Sequence, residues 1–108
     1  MSLYRFKSRE TSDLVMLQPH GQRILEALGK DPDGPGIIQP AEMAAAVQAL
    51  RAAADAEEAE QKRLKEEAQA RGEAAPAFDP VTLRVRSVPF IEMLQRCEKA
   101  RVDMVWGV

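Results

Sequence analysis

The stretch from Pro40 to about Arg71 constrains this chain most, because after its opening proline it is dominated by Ala, Glu, Gln, Lys and Arg, all good helix formers. A helix from 40 to about 71 is roughly 48 Å long at about 1.5 Å per residue. A compact body of this chain's size has a radius of gyration of only roughly 13 Å. Core residues occupy the first half alone, where Met43, Val47, Leu50 and Ala54 recur every three or four positions. Beyond Asp55 the stripe gives way to Glu57, Glu58, Glu60, Lys62, Arg63, Lys65, Glu66 and Glu67, with Leu64 the only large apolar side chain. The second half must therefore overhang, bend or pair with something. Pairs of Glu58 with Lys62 and of Lys62 with Glu66 are expected to support it by about a few tenths of a kcal/mol each. Pro40 at the first helical position, Glu42 at the third and an Ile38 to Met43 staple mark its start, and Gly72 ends it.

The 108 residues are expected to form one domain over 1–108, with 55–78 as a charged, Ala-rich helical extension and loop within it. Tyr4, Phe6 and Ser8 alternate with Arg5, Lys7 and Arg9, the period of a half-buried strand. The run from Asp13 to Leu17 reads as a second strand, apolar on both faces, and the two are expected to form a hairpin. A short helix over about 20–28 ends at Gly29, and the Gly- and Pro-rich loop that follows leads to Ile37 and Ile38, both expected to pack inward. Asp79 as N-cap before Pro80 opens a last helix whose Leu83, Ser87, Phe90, Ile91, Leu94 and Cys97 trace one face, kinked at Pro89. Val81, Leu83 and Val85 would equally suit a strand, and the kinked helix is the preferred reading. Val102, Met104, Trp106 and Val108 close the chain at strict period two. The expected fold is α+β in two layers: a small, mainly antiparallel sheet of strands 3–8, 13–18 and 102–107, covered by about three helices, one of them long and charged.

Fifteen basic and seventeen acidic side chains leave a net charge of -2, which argues against nucleic-acid or anionic-membrane partners, since both require a positive surplus. The basic strip Arg5, Lys7 and Arg9 does not change this: with Tyr4 and Phe6 turned into the core, the charges point away from the rings. One His and one Cys permit neither an internal disulfide nor a zinc site of the usual four Cys and His ligands, and no cofactor is expected. The charged opening residues and the absence of any long apolar run make the cytoplasm the expected location. Cys97, on an apolar helical face, reads as a packing residue.

Tyr4-Arg-Phe-Lys-Ser, Asp13-Leu-Val-Met-Leu, Gly36-Ile-Ile-Gln-Pro, Pro89-Phe-Ile-Glu-Met-Leu and the closing Val105-Trp-Gly-Val resemble a small proteobacterial family, the domain of unknown function with DUF number eighteen-forty. The likeness covers most of 3–50 and 81–108, and the charged middle matches in character only. It implies a cytosolic bacterial protein of about this length, with no activity, cofactor or catalytic residue to carry across.

Two surfaces are candidates for function. Pro19-His20-Gly21-Gln22-Arg23 sets an imidazole, a glycine and a guanidinium at a helix N-terminus, where amides and dipole favour a small anion or phosphorylated metabolite, making His20, Gly21 and Arg23 the candidate ligand residues. On the long helix, Glu58, Lys62, Glu66 and Glu67 are the candidate contacts for a protein partner or a second copy in a homodimer. The loop from Asp31 to Glu42 has carboxylates at calcium-loop positions, but Pro35 brings no side-chain oxygen at the fifth, so a plain turn is expected and no metal site. His20 has no neighbouring nucleophile, no catalytic residue stands out, and an enzyme is not expected. The leading expectation is a non-enzymatic interaction or regulatory module presenting its long helix. The alternative is an anion binder at the turn from Pro19 to Arg23.

Overall fold

Alternation at the start of the chain produces a hairpin, in which β1 (Leu3–Phe6) pairs antiparallel with β2 (Leu14–Leu17) and sets Tyr4 opposite Met16 and Phe6 opposite Leu14. These strands belong to a computed structural model that describes residues 2–108. The remaining elements are α1 (Gln18–Ala27), β3 (Gly36–Ile38), α2 (Pro40–Ala70), α3 (Leu83–Ala100) and β4 (Met104–Trp106). The fold is α+β, with three helices and small antiparallel ladders, as the sequence pattern indicates.

The ladders differ from a single three-stranded sheet. β4 pairs with β3 rather than lying alone beside the hairpin, with Gly36 opposite Trp106 and Ile38 opposite Met104. One bridge joins the two ladders: the Lys7 N–H donates to the Val105 carbonyl at 2.8 Å and the Val105 N–H returns to the Lys7 carbonyl at 2.9 Å. β3 escapes the sequence pattern because three residues after Gly34-Pro35 look like loop until the end of the chain arrives beside them. A Cβ on Gly36 would stand 2.1 Å from the Trp106 ring, so the glycine is what lets the indole lie on that strand.

The core forms where these ladders meet the helices. Phe6 packs edge-on against Phe90 at 4.9 Å between centroids and against Trp106 at 5.8 Å. Ile24, Leu25, Ile38, Met43, Leu50, Leu94, Cys97 and Met104 are fully buried around them. Two inward assignments are corrected. Ile37 is 41% exposed, because Ile38 takes the core side of a three-residue strand and its neighbour must face out. Val15 and Leu17, on the strand read as apolar on both faces, are 43% and 41% exposed, because they lie on the side of the hairpin turned away from Phe6.

Helix ends follow local chemistry. α2 opens with a reciprocal capping box, in which Glu42 accepts from the Gln39 N–H at 2.8 Å, and with Ile38 and Met43 both buried across the entry. It closes at Gly72, whose φ of 69° admits the Glu73 N–H to the Ala68 carbonyl at 2.9 Å. α3 is helical from Leu83 and passes through Pro89, which settles the strand alternative for 81–87 in favour of helix for Leu83 onward. Its N-cap is Thr82, not Asp79: the Thr82 hydroxyl accepts from the Val85 N–H, while Asp79 accepts from the Val81 N–H in the turn before. Arg101 ends α3 in the left-handed region at φ 58°, a place glycine usually takes.

α3 runs back along the first half of α2, beginning beside Glu57 and ending where β4 returns to β3. Beyond Glu57, α2 continues for another thirteen residues with only Ala68 buried. The segment 72–82, which has no regular structure, returns alongside, and Lys65 sits over the Phe78 ring at 5.6 Å. The molecule measures 53 × 30 × 20 Å with a radius of gyration of 15.9 Å, and α2 runs unbroken from Pro40 to Ala70 into the overhang.

Candidate functional site

The turn from Pro19 to Arg23 opens α1, with proline in the first turn and no side-chain cap on its N-terminus. Gly21 is buried because the Tyr4 ring lies on it, and a Cβ there would come within 2.3 Å of that ring. Tyr4 in turn donates its hydroxyl to the Pro32 carbonyl at 2.5 Å, tying the loop after α1 to β1. Burial first, and then Asp33, Glu26 and Asp31, push the Tyr4 phenol above its ordinary value.

Arg23 donates to the Glu57 carboxylate, whose other oxygen accepts the Leu83 N–H at 3.0 Å. One side chain thus joins all three helices and supplies an anion to the N-terminus of α3. Sequence reasoning missed Glu57 as a structural hub, because its partners lie 34 and 26 residues away and only the fold brings them together. His20 lies elsewhere, in a groove of about 480 Å³ beside β2 that Arg23 does not line. The three candidate ligand residues therefore hold a packing contact, an ion pair and a groove wall respectively.

The four candidate partner contacts also have intramolecular roles. Glu58 binds Arg84 at 2.8 Å rather than Lys62, because α3 brings a guanidinium, already held by Asp55, against that face. The Arg84 hydrogen bond holds the Glu58 carboxyl below the usual range. Lys62 and Glu66 approach only to 4.0 Å, with side chains 78% and 66% exposed. Glu67 takes Arg63 at 2.7 Å and Arg71 at 3.1 Å. Arg63 also binds Glu60 at 2.6 Å, and that hydrogen bond lowers the Glu60 carboxyl.

The loop from Asp31 to Glu42 turns by its own bonds. Asp31 accepts the Asp33 N–H at 2.8 Å, Gly36–Ile38 form β3, and Glu42 receives the Gln39 N–H, which lowers its carboxyl, with Lys30 at 3.3 Å adding to the effect. Among the described residues no group of three His, Cys, Asp or Glu stands close enough to hold a metal ion. Where β1 meets β4, a polar cleft of about 470 Å³ gathers Lys7, Arg9, Arg101 and Asp103. Lys7 is engaged there with the Val108 carbonyl at 3.2 Å, and Arg101 sits at the C-terminus of α3, where positive charge is favoured. No helix among the described residues is long and apolar enough to cross a membrane.

The sequence model of one family matches the chain over residues 2–106, that of the domain of unknown function DUF1840. No curated protein and no solved structure matches it.

Proposed function

Since the chain belongs to the DUF1840 family, which brings no activity with it, we propose a function from the geometry: a non-enzymatic interaction module that offers the overhanging half of α2 to a protein partner. The observation that carries this reading is the projection itself. Thirteen residues beyond Glu57, roughly 20 Å of helix, stand clear of the core with a single buried side chain. A segment that adds so little burial to the fold is retained at the full entropy of ordering it, which suits a surface held ready for another molecule. Charges of both signs line it, and Lys62 and Glu66 are the least committed to internal pairs, so they are free to exchange partners at low cost. The bacterial cytoplasm is proposed as its setting, in keeping with a lone cysteine that has no partner within the chain.

The test is affinity capture from the cells that make the protein, followed by the double reversal Lys62→Glu with Glu66→Lys. These positions leave Arg84, Glu57 and the core untouched, so the variant should melt with the native chain while losing its partner. Capture that survives the reversal would remove α2 from the account. A rise in melting temperature with millimolar phosphate that disappears in Arg23→Ala would instead favour an anion binder at the turn from Pro19 to Arg23.

A further inference from the structure

The groove that contains His20 has a different character from the overhang of α2 and lies elsewhere on the molecule. All four residues of β2, Leu14 to Leu17, line it. Successive strand residues point to opposite faces, so a groove that touches four in a row runs along the edge of the ladder and not across a face. That edge is open, because among the described residues β2 pairs with β1 alone. The bonded phase of the ladder follows from the Gln18 N–H, which donates to the Ser2 carbonyl. By alternation Tyr4 with Met16 and Phe6 with Leu14 exchange hydrogen bonds, and Val15 and the Leu17 N–H point outward.

The opposite wall comes from Val81 and from Val85, Arg86 and Pro89 of α3. Val15, Leu17 and Val85, three of the large aliphatic side chains exposed on the molecule, line it at 41% to 59% exposure. Arg86 is the exception among them. It pairs with no carboxylate among the described residues, and its buried Nε has no acceptor, whereas Arg84, one turn-half earlier, binds two carboxylates.

We propose that this edge and groove bind an extended segment of a partner protein that adds to β2 as a strand, is aliphatic at alternate positions and places one carboxylate on Arg86. The open backbone selects an extended chain, the valines and Pro89 select aliphatic side chains, and the unmet guanidinium selects the acid. A second copy of this chain fits less well. Its own β2 would bring Leu-Val-Met-Leu, with no acid inside the strand, and would leave Arg86 unmet. At about 3.4 Å per residue the four-residue edge accommodates four or five residues of such a segment.

The probe is a set of eight acetylated eight-residue peptides of alternating valine and threonine, each with one position changed to glutamate, together with their glutamine twins. Fluorescence anisotropy against the full chain should find at least one glutamate peptide that binds about tenfold tighter than its twin, the preference vanishing in Arg86→Gln. Val15→Pro should abolish binding while leaving the melt intact, because the Val15 N–H faces the open edge and its loss breaks no bond to β1. Backbone amide shifts on binding should centre on Val15, Leu17 and Val85. Equal affinity for glutamate and glutamine peptides, no binding by any of the sixteen, or indifference to Arg86→Gln would overturn the proposal. Sedimentation at twice the chain mass that reverts in Val15→Pro would also overturn it, by giving the edge to a second copy.

Discussion

The two halves of α2 make an instructive pair, since one unbroken helix is held by two different kinds of force. From Met43 to Ala54 it is fixed by burial, with Met43, Val47 and Leu50 in one core cluster with Phe90 and Leu94, and with Ala54 also buried. From Glu58 to Ala70 it is held by intrinsic propensity and by exposed pairs such as Arg63 with Glu60 and Glu67. The first kind of stabilisation is large, cooperative and indifferent to salt. The second is small, local and screened. Glu57 stands at the boundary, the last residue of α2 that reaches another helix through a half-buried bond network.

The largest contrast should come from truncating one large side chain in each region. Trp106→Ala removes the indole packed against Phe6 and Gly36 and should cost about 3–5 kcal/mol in denaturant unfolding, a large share of a small domain's stability. Leu64→Ala, on the partly exposed overhang, should cost less than about 1 kcal/mol. Comparable losses would mean that the overhang shares the core. Next in size is the boundary itself. Glu57→Gln weakens the bond to Arg23 and the anion at the start of α3, and about 1–2 kcal/mol should be lost, against at most about 0.5 for Glu67→Gln three turns on.

Much of this division was legible in the sequence, and what was not has a common cause. The stripe of Met43, Val47, Leu50 and Ala54, the alternation of Tyr4 with Phe6, the helix start marked by Pro40, Glu42 and the Ile38 to Met43 staple and the closing strand at Trp106 are all local patterns, and each holds in the fold. Missed features depend on residues far apart in the chain: β3 exists because β4 returns to it, Glu58 abandons Lys62 because Arg84 is delivered by α3, and Arg23 is claimed by Glu57. Thr82 rather than Asp79 caps α3, because the first turn starts three residues later than the Asp-Pro signal suggests. Of the candidate site, the sequence located His20 at a helix entrance, but the groove it lines needs β2 and α3 side by side. Arg86, in the middle of an apolar helical pattern, carries no sequence signal of being unpaired.

Smaller effects sharpen the same comparison. Arg101→Gly relieves a left-handed turn at the end of α3 and should add about 0.5–1 kcal/mol in denaturant unfolding. Acid should act mostly on the surface pairs. Glu42, Glu58 and Glu60 have lowered carboxyls, so their contribution is intact above the ordinary value of 4.5 and is lost as pH falls through their folded values. Added salt should reduce this acid-dependent loss. Tyr4 works in the opposite sense: its raised phenol contributes fully below 10.0, and that contribution is lost as pH rises through the folded value. Alkaline loss should disappear in Tyr4→Phe.

Hydrogen exchange along α2 tests the division most directly, because both halves share one helix and one buffer. Amides from Val47 to Ala54 should exchange only through global unfolding, with a free energy equal to that from denaturant melts. Those from Lys62 to Ala70 should open locally, orders of magnitude faster, and faster still in molar salt. Uniform protection from Val47 to Ala70, unmoved by salt, would contradict the account and make the overhang part of the core.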